Sequence, residues 1–143
     1  DHEVRVYDSF KPIYIAAALG NKEVVEFLKS KGAVLPRGKG ILIAGERIGS
    51  SVFVKNSRIA SIDQKSEDRM IAEIEPGSHI IGVRAIFSVG WFGPSYQSTV
   101  GPVITRKIEI NAGDIIVARP FIIGADERSE KKEDKWDYVI EKY

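Results

Sequence analysis

Residues 70–87 read MIAEIEPGSHIIGVRAIF. Ile71 to Ile74 is a short apolar run broken by Glu73. Pro76-Gly77 follows, a strong turn signal. Apolar residues then recur at every second position through Phe87, which sets one face of an extended chain against a core. The stretch predicts a β-hairpin that turns at Pro76-Gly77.

The pattern continues on both sides. Upstream, KGILIAGERI (39–48), SVFVKNS (51–57) and RIASID (58–63) read as strands, closed by a polar turn, QKSEDR (64–69). Downstream, SVGWFGPSYQSTVGP (88–102) is a loop rich in Gly, Ser and Pro. VITRKIEI (103–110) and IIVARPFII (115–123) are strands joined by the turn NAGD. ERSEKKEDK (127–135) is a charged, solvated loop, and the last segment turns Trp136, Tyr138 and Ile140 towards the core. Six to eight short strands at this spacing predict a mainly β chain, an antiparallel Ig-like β-sandwich over residues 37–143. A βαβ alternation is missing, which argues against a Rossmann-type sheet.

Residues 1–36 have a different texture. PIYIAAALG starts with Pro12, favoured in a first helical turn. KEVVEFLKSKG sets Val24, Val25, Phe27 and Leu28 at helical spacing. Asn21 is a suitable N-cap, and Gly32 a C-terminal stop. A short helical hairpin is expected, joined to the sandwich by PRGKG (36–40).

Composition removes several function classes. The 21 basic and 20 acidic residues leave a net charge of +1, without the basic excess of a nucleic-acid binder. The absence of cysteine excludes disulfides, thiolate zinc sites and cysteine nucleophiles. No apolar run is long enough to span a bilayer. The chain begins at Asp1, and its one methionine is Met70, which reads as a fragment or a processed form.

The residues from Lys11 through Ala17, then Gly20-Asn21-Lys22-Glu23-Val24-Val25-Glu26-Phe27-Leu28 and Gly32-Ala33, resemble one ankyrin repeat. Lys11 and Tyr14 stand where the family has threonine and histidine, and Lys29 where it has an apolar residue. The resemblance implies a terminal or solitary repeat. A single repeat cannot bury its own faces and must pack on the β-domain, on further repeats or on another chain. The stretches Arg58–Asp63, Glu75-Pro76-Gly77-Ser78-His79-Ile80-Ile81-Gly82-Val83 and Ile108–Asp114, with Trp136, resemble a β-sandwich family of small bacterial lipoproteins and envelope proteins, with a Pro-Gly turn like that of PEGA-like modules. That resemblance implies a periplasmic or otherwise extracytoplasmic domain without catalysis. No lipid-bearing cysteine accompanies it.

The residues with chemical potential are few. Trp91, Phe92 and Tyr96 cluster on the Gly/Pro loop. Exposed aromatics there would form a binding surface; folded back, they would plug the end of the sandwich. Tyr14 is a further candidate for binding. His79 falls on the inward face with Ile81 and Val83, where a ring nitrogen would satisfy a turn carbonyl. A metal on His79 with Glu73 or Glu75 follows no known ligand spacing. Gly38, Gly40 and Gly45 lack the lysine and Ser/Thr of a P-loop. The expectation is a non-catalytic interaction module with a protein partner, no nucleic acid and no cofactor. A homodimer through an edge strand is one alternative. A hydrolase using carboxylates such as Glu73, Glu75 and Glu109 is another.

Overall fold

The computed structural model describes residues 11–46, 54–89, 97–100, 102–122 and 136–143. Two helices form the hairpin, α1 (Pro12–Ala18) and α2 (Lys22–Ser30). Pro12 occupies the first turn of α1, where its missing N–H costs nothing. Gly20 ends that helix at φ 77, a left-handed conformation that glycine adopts without a Cβ clash. The Asn21 side chain then accepts a hydrogen bond from the Val24 amide at 3.2 Å and caps α2.

Nine strands follow among the described residues: β1 (Gly40–Ala44), β2 (Val54–Ile62), β3 (Lys65–Arg69), β4 (Ile71–Ile74), β5 (Gly77–Val89), β6 (Gln97–Val100), β7 (Ile104–Ile110), β8 (Ile115–Ile122) and β9 (Trp136–Lys142). They make two sheets. The first has the order β4-β1-β8-β9. In the second, β3 and β2 lie on one side of β5, while β6 and β7 share its other edge.

The layers follow from which faces are apolar. Leu42, Ala72, Ile74, Ile116, Trp136 and Tyr138 of the first sheet meet Ile59, Ile81, Val83, Ile108 and Ile110 of the second. The opposite face of the first sheet presents Ile41, Ile43, Ile115 and Val117 to the helices, where Ile13, Ala17 and Val25 cover them. β1 and the first half of β8 are therefore buried on both faces. This explains why GILIA and IIVA are unbroken apolar runs and do not alternate.

Several expectations need correction. Residues 71–87 do not form a hairpin: β4 pairs with β1, and β5 with β2, β6 and β7. The chain crosses between sheets at Glu75-Pro76, and Gly77 takes φ 130 there. Alternation specifies which face of a strand is buried but not which strand lies beside it. The sandwich is also not wholly antiparallel, because β1 and β8 run parallel. QKSEDR is mostly the edge strand β3. The turn sits one residue earlier, at Asp63 and Gln64, both at positive φ (50 and 67). Two such residues build the tight hairpin turn whose twist suits a β-ribbon, and the lack of glycine there hid it. The segment 88–102 is not all loop either, since it contains the end of β5 and all of β6. Ile140 is 38% exposed on β9 and is not core. On α2, Val25 is buried while Val24 and Phe27 face outward.

Two links hold the layers in register. Arg106 of β7 pairs with Asp137 of β9, its guanidinium 5.0 Å from the Tyr138 ring centroid. The Tyr138 hydroxyl donates to the Ile104 carbonyl at 2.9 Å, joining one sheet to the other. Burial pushes the Tyr138 phenol up to about 12, so this donor keeps its proton. The second link is Arg119 on β8. It is 5% exposed and reaches into the hairpin. One terminal amino group donates to the carbonyls of Ala18 (2.9 Å) and Glu46 (3.0 Å), the other to Ala17 (3.1 Å). Its Nε donates to Glu141 at 3.0 Å.

Candidate functional site

Where α1 meets the edge of the first sheet, a cleft of 490 Å³ opens. Its floor is Ile41 of β1 and Ile71 of β4. The sheet register explains this: Ile41 stands opposite Glu73, and Ile43 opposite Ile71, so all four side chains share the hairpin face. Lys11 and Tyr14 form the helical wall, and Lys39, Arg69 and Glu73 complete the rim.

Tyr14 is the one binding candidate from the sequence that falls among the described residues. It is only 7% exposed. Its ring packs with the hairpin core, and its hydroxyl has no hydrogen-bond partner among the described residues. Burial raises the phenol above its ordinary value, and the Glu73 carboxylate adds to the rise, so Tyr14 stays a proton donor. Trp91, Phe92 and Tyr96 lie outside the described residues.

The cations of the cleft are only partly spent. The Lys11 amine donates to the Val34 carbonyl at 2.9 Å and sits 6.0 Å from the Tyr14 ring centroid. Lys39 meets Glu75 at 3.5 Å, with both side chains well exposed, a geometry of small energetic weight. The Arg69 Nε pairs with Glu67 at 3.1 Å, while its two terminal amino groups meet no partner among the described residues. No sequence motif marks this grouping, because Lys11, Lys39 and Arg69 come from three separate segments.

A second polar cluster surrounds His79. Its Nδ1 lies 2.6 Å from Asp63 Oδ2, and its Nε2 lies 2.6 Å from the Glu75 carbonyl. Asp63 Oδ1 also accepts from the Ile80 amide at 2.9 Å. The expected bond to a turn carbonyl is present, and the carboxylate is an addition the sequence did not reveal. Both partners are acceptors, so only the doubly protonated ring can donate to both. The hydrogen bond to Asp63 raises the His79 pKa; burial opposes this, and the Glu75 carbonyl and the Glu109 charge assist. The same bond, with that from Ile80, holds Asp63 below its ordinary value. The ring thus clamps the β2–β3 turn to the crossover between sheets.

The linkage has a definite sign. A raised folded-state pKa contributes stability that is fully present below the unfolded value of 6.5 and is lost as pH rises through the folded one. The stability difference between wild type and His79→Gln should be greatest near pH 5 and shrink steadily by about pH 9. Chemical denaturation at a series of pH values measures it. A difference that stays flat over this range would show a neutral ring.

The remaining candidates are dispersed. Glu75 pairs with Lys39, Glu109 accepts from Ser78, and Glu73 borders the cleft. Among the described residues, no group of three metal-ligating side chains comes together, and no helix is long and apolar enough to cross a membrane. Against protein-family models, curated proteins and solved structures, the chain finds no match.

The outer side of the hairpin is the other notable surface. Leu19 is 63% and Phe27 58% exposed, and Val24 on α2 and Val34 beyond its end are exposed as well. Val24 and Phe27 lie three residues apart on α2 and so share a helical face. Lys31 stands 5.7 Å from the Phe27 ring centroid. The helical spacing of Phe27 was legible, but its outward direction was not.

Proposed function

We propose that the chain is a non-catalytic protein-interaction module of the bacterial cell envelope, and that its partner docks on the outer face of the helical hairpin. The observation that carries this is the exposure of Phe27 and Leu19 on a hairpin whose other face is sealed against the sheet. Large apolar side chains held on a rigid support give contact area at little entropic cost, and aromatic ones dominate binding energies. The ankyrin-like motif of the hairpin and the envelope-type motifs of an Ig-like sandwich favour the same reading, as does the absence from the sequence of a recognised catalytic motif.

A photo-crosslinking phenylalanine analogue at position 27 tests it in the cells that make the protein. A discrete adduct of higher mass is expected from position 27 and none from position 65 on β3. Adducts absent at 27, or equal at both sites, would overturn the reading. A second reading, a homodimer through an edge strand, is favoured by Val139 and Ile140, both 38% exposed on the edge strand β9. An adduct of twice the chain mass, trapped from β9 and not from position 27, would select it.

A further inference from the structure

The cleft between α1 and β4 is independent of the hairpin's outer face, and its chemistry is specific. We infer that it is a binding site for a small organic acid: one carboxylate on a compact apolar body.

Four features choose this class. The two terminal amino groups of Arg69 have no partner among the described residues, and a guanidinium presents such groups in a planar fork that matches a carboxylate. Lys39 stands on the same rim, held only by a long, exposed contact to Glu75. The Tyr14 hydroxyl is a protonated donor on a side chain more than nine-tenths buried, and its hydrogen-bonding capacity is unused among the described residues. The hydroxyl itself is not among the buried polar atoms, so it is open to the cleft and can donate to a bound group. The floor of Ile41 and Ile71, with the Tyr14 ring, suits an apolar body.

Glu73 sets the charge. Its carboxylate on the rim opposes a dianion such as phosphate and tolerates a single negative charge balanced by Arg69 and Lys39. The cleft volume of 490 Å³ lies in the range of small-molecule sites and leaves room for a ring or a short aliphatic chain.

The test is an amide-shift titration of the whole chain with benzoate as probe, with acetate and inorganic phosphate as comparisons. Benzoate should give saturable shifts centred on Tyr14, Ile41 and Ile71. Acetate and phosphate should bind about tenfold more weakly, since the first lacks the apolar body and the second carries excess charge. Arg69→Met should weaken benzoate about tenfold, and Tyr14→Phe several-fold, as expected for lost hydrogen bonds to a charged group. Arg69 is exposed, and the same spectra report whether each variant is folded. The inference fails if no saturable shift occurs up to about 10 mM benzoate. It fails equally if phosphate binds as well as benzoate, or if Arg69→Met binds as wild type does. None of these results depends on whether a protein docks at Phe27.

Discussion

Arg119→Met lowers the melting temperature of the chain by about 10 °C, the effect of losing roughly 3 kcal/mol in a domain of this size. The basis is the number of groups that depend on one side chain. Arg119 is 5% exposed, and its donors serve the carbonyls of Ala17, Ala18 and Glu46 together with the Glu141 carboxylate. The Ala17 and Ala18 carbonyls belong to the last turn of α1, where a helix has no internal donors left and where a positive charge is favoured. Methionine fills much the same volume and removes all the donors. The Ala17 carbonyl keeps the Gly20 amide and the Ala18 carbonyl the Glu46 amide, both at 3.0 Å, so the loss is that of several charge-assisted hydrogen bonds and not of the carbonyls' last partners.

Glu141 is affected from the other side. Burial alone would raise its carboxyl, but hydrogen bonds from Tyr143 and Arg119 outweigh that and hold it low. Its side chain is 35% exposed, so water recovers part of what it loses, and breaking the pair costs less than the 3–5 kcal/mol of a fully buried one. Arg119→Lys should fall between wild type and Arg119→Met, because one amine cannot span the four acceptors. Calorimetric melting of the three proteins decides the matter. An unchanged melting temperature for Arg119→Met would mean that the Gly20 and Glu46 amides suffice for the α1 carbonyls and that the guanidinium contributes little.

Gly20 belongs to the same arrangement. A Cβ on Gly20 would lie 3.2 Å from a terminal nitrogen of Arg119, and its φ of 77 already disfavours other residues. The glycine ends the helix and also leaves space for the cation that bonds its final carbonyls. The sequence shows both residues, 99 positions apart, without showing that they meet. One signal was available. A lone arginine inside an apolar run that is buried on both faces must find several acceptors.

Legibility follows the range of the interactions. The hairpin was readable because Pro12, Gly20, Asn21 and Gly32 act on backbone within a few residues of themselves. Strands β1, β7, β8 and β9 were readable because burial imposes apolar patterns on single segments. Their pairing was not. Ile74 and Ile81 flank a Pro-Gly turn in the manner of a hairpin, yet they enter one core from different sheets. Strand β3 was hidden for another reason: KSEDR is an edge strand with little buried surface, and its charges suit an edge that must not pair with a neighbour. Tyr14 was found as a candidate. The cations beside it were not, since only the packing of α1 on β1 and β4 brings them to one cleft.

Ala17→Leu unfolds the hairpin and the sandwich as one unit at a lower denaturant concentration, with a loss of about 1–3 kcal/mol. Ala17 has no exposed surface, and it lies in the apolar layer with Ile13, Val25, Ile43 and Val117. Its small side chain is what lets α1 approach the sheet closely enough for Arg119 to reach the Ala17 carbonyl at 3.1 Å. Leucine adds three carbons to a sealed layer, so either α1 lifts or the strands shift. If α1 lifts, the Arg119 contacts lengthen, and the two effects compound because they share a backbone. The coupling to the sandwich runs through β1 and β8. Ile43 and Val117 face the helices, while Leu42 and Ile116 on the same strands face the inner core. Methyl signals from Ile81 and Ile110, which lie in that inner core, report on it separately from the helical circular dichroism. Both signals should move to the same lower midpoint in Ala17→Leu. If the helical signal fell early while Ile81 and Ile110 kept the wild-type midpoint, the hairpin would be an appendage whose burial does not support the sheet. Coincident transitions would instead mean that the hairpin is the third layer of a single cooperative unit, and that any partner docking on Phe27 binds a support as rigid as the sandwich itself.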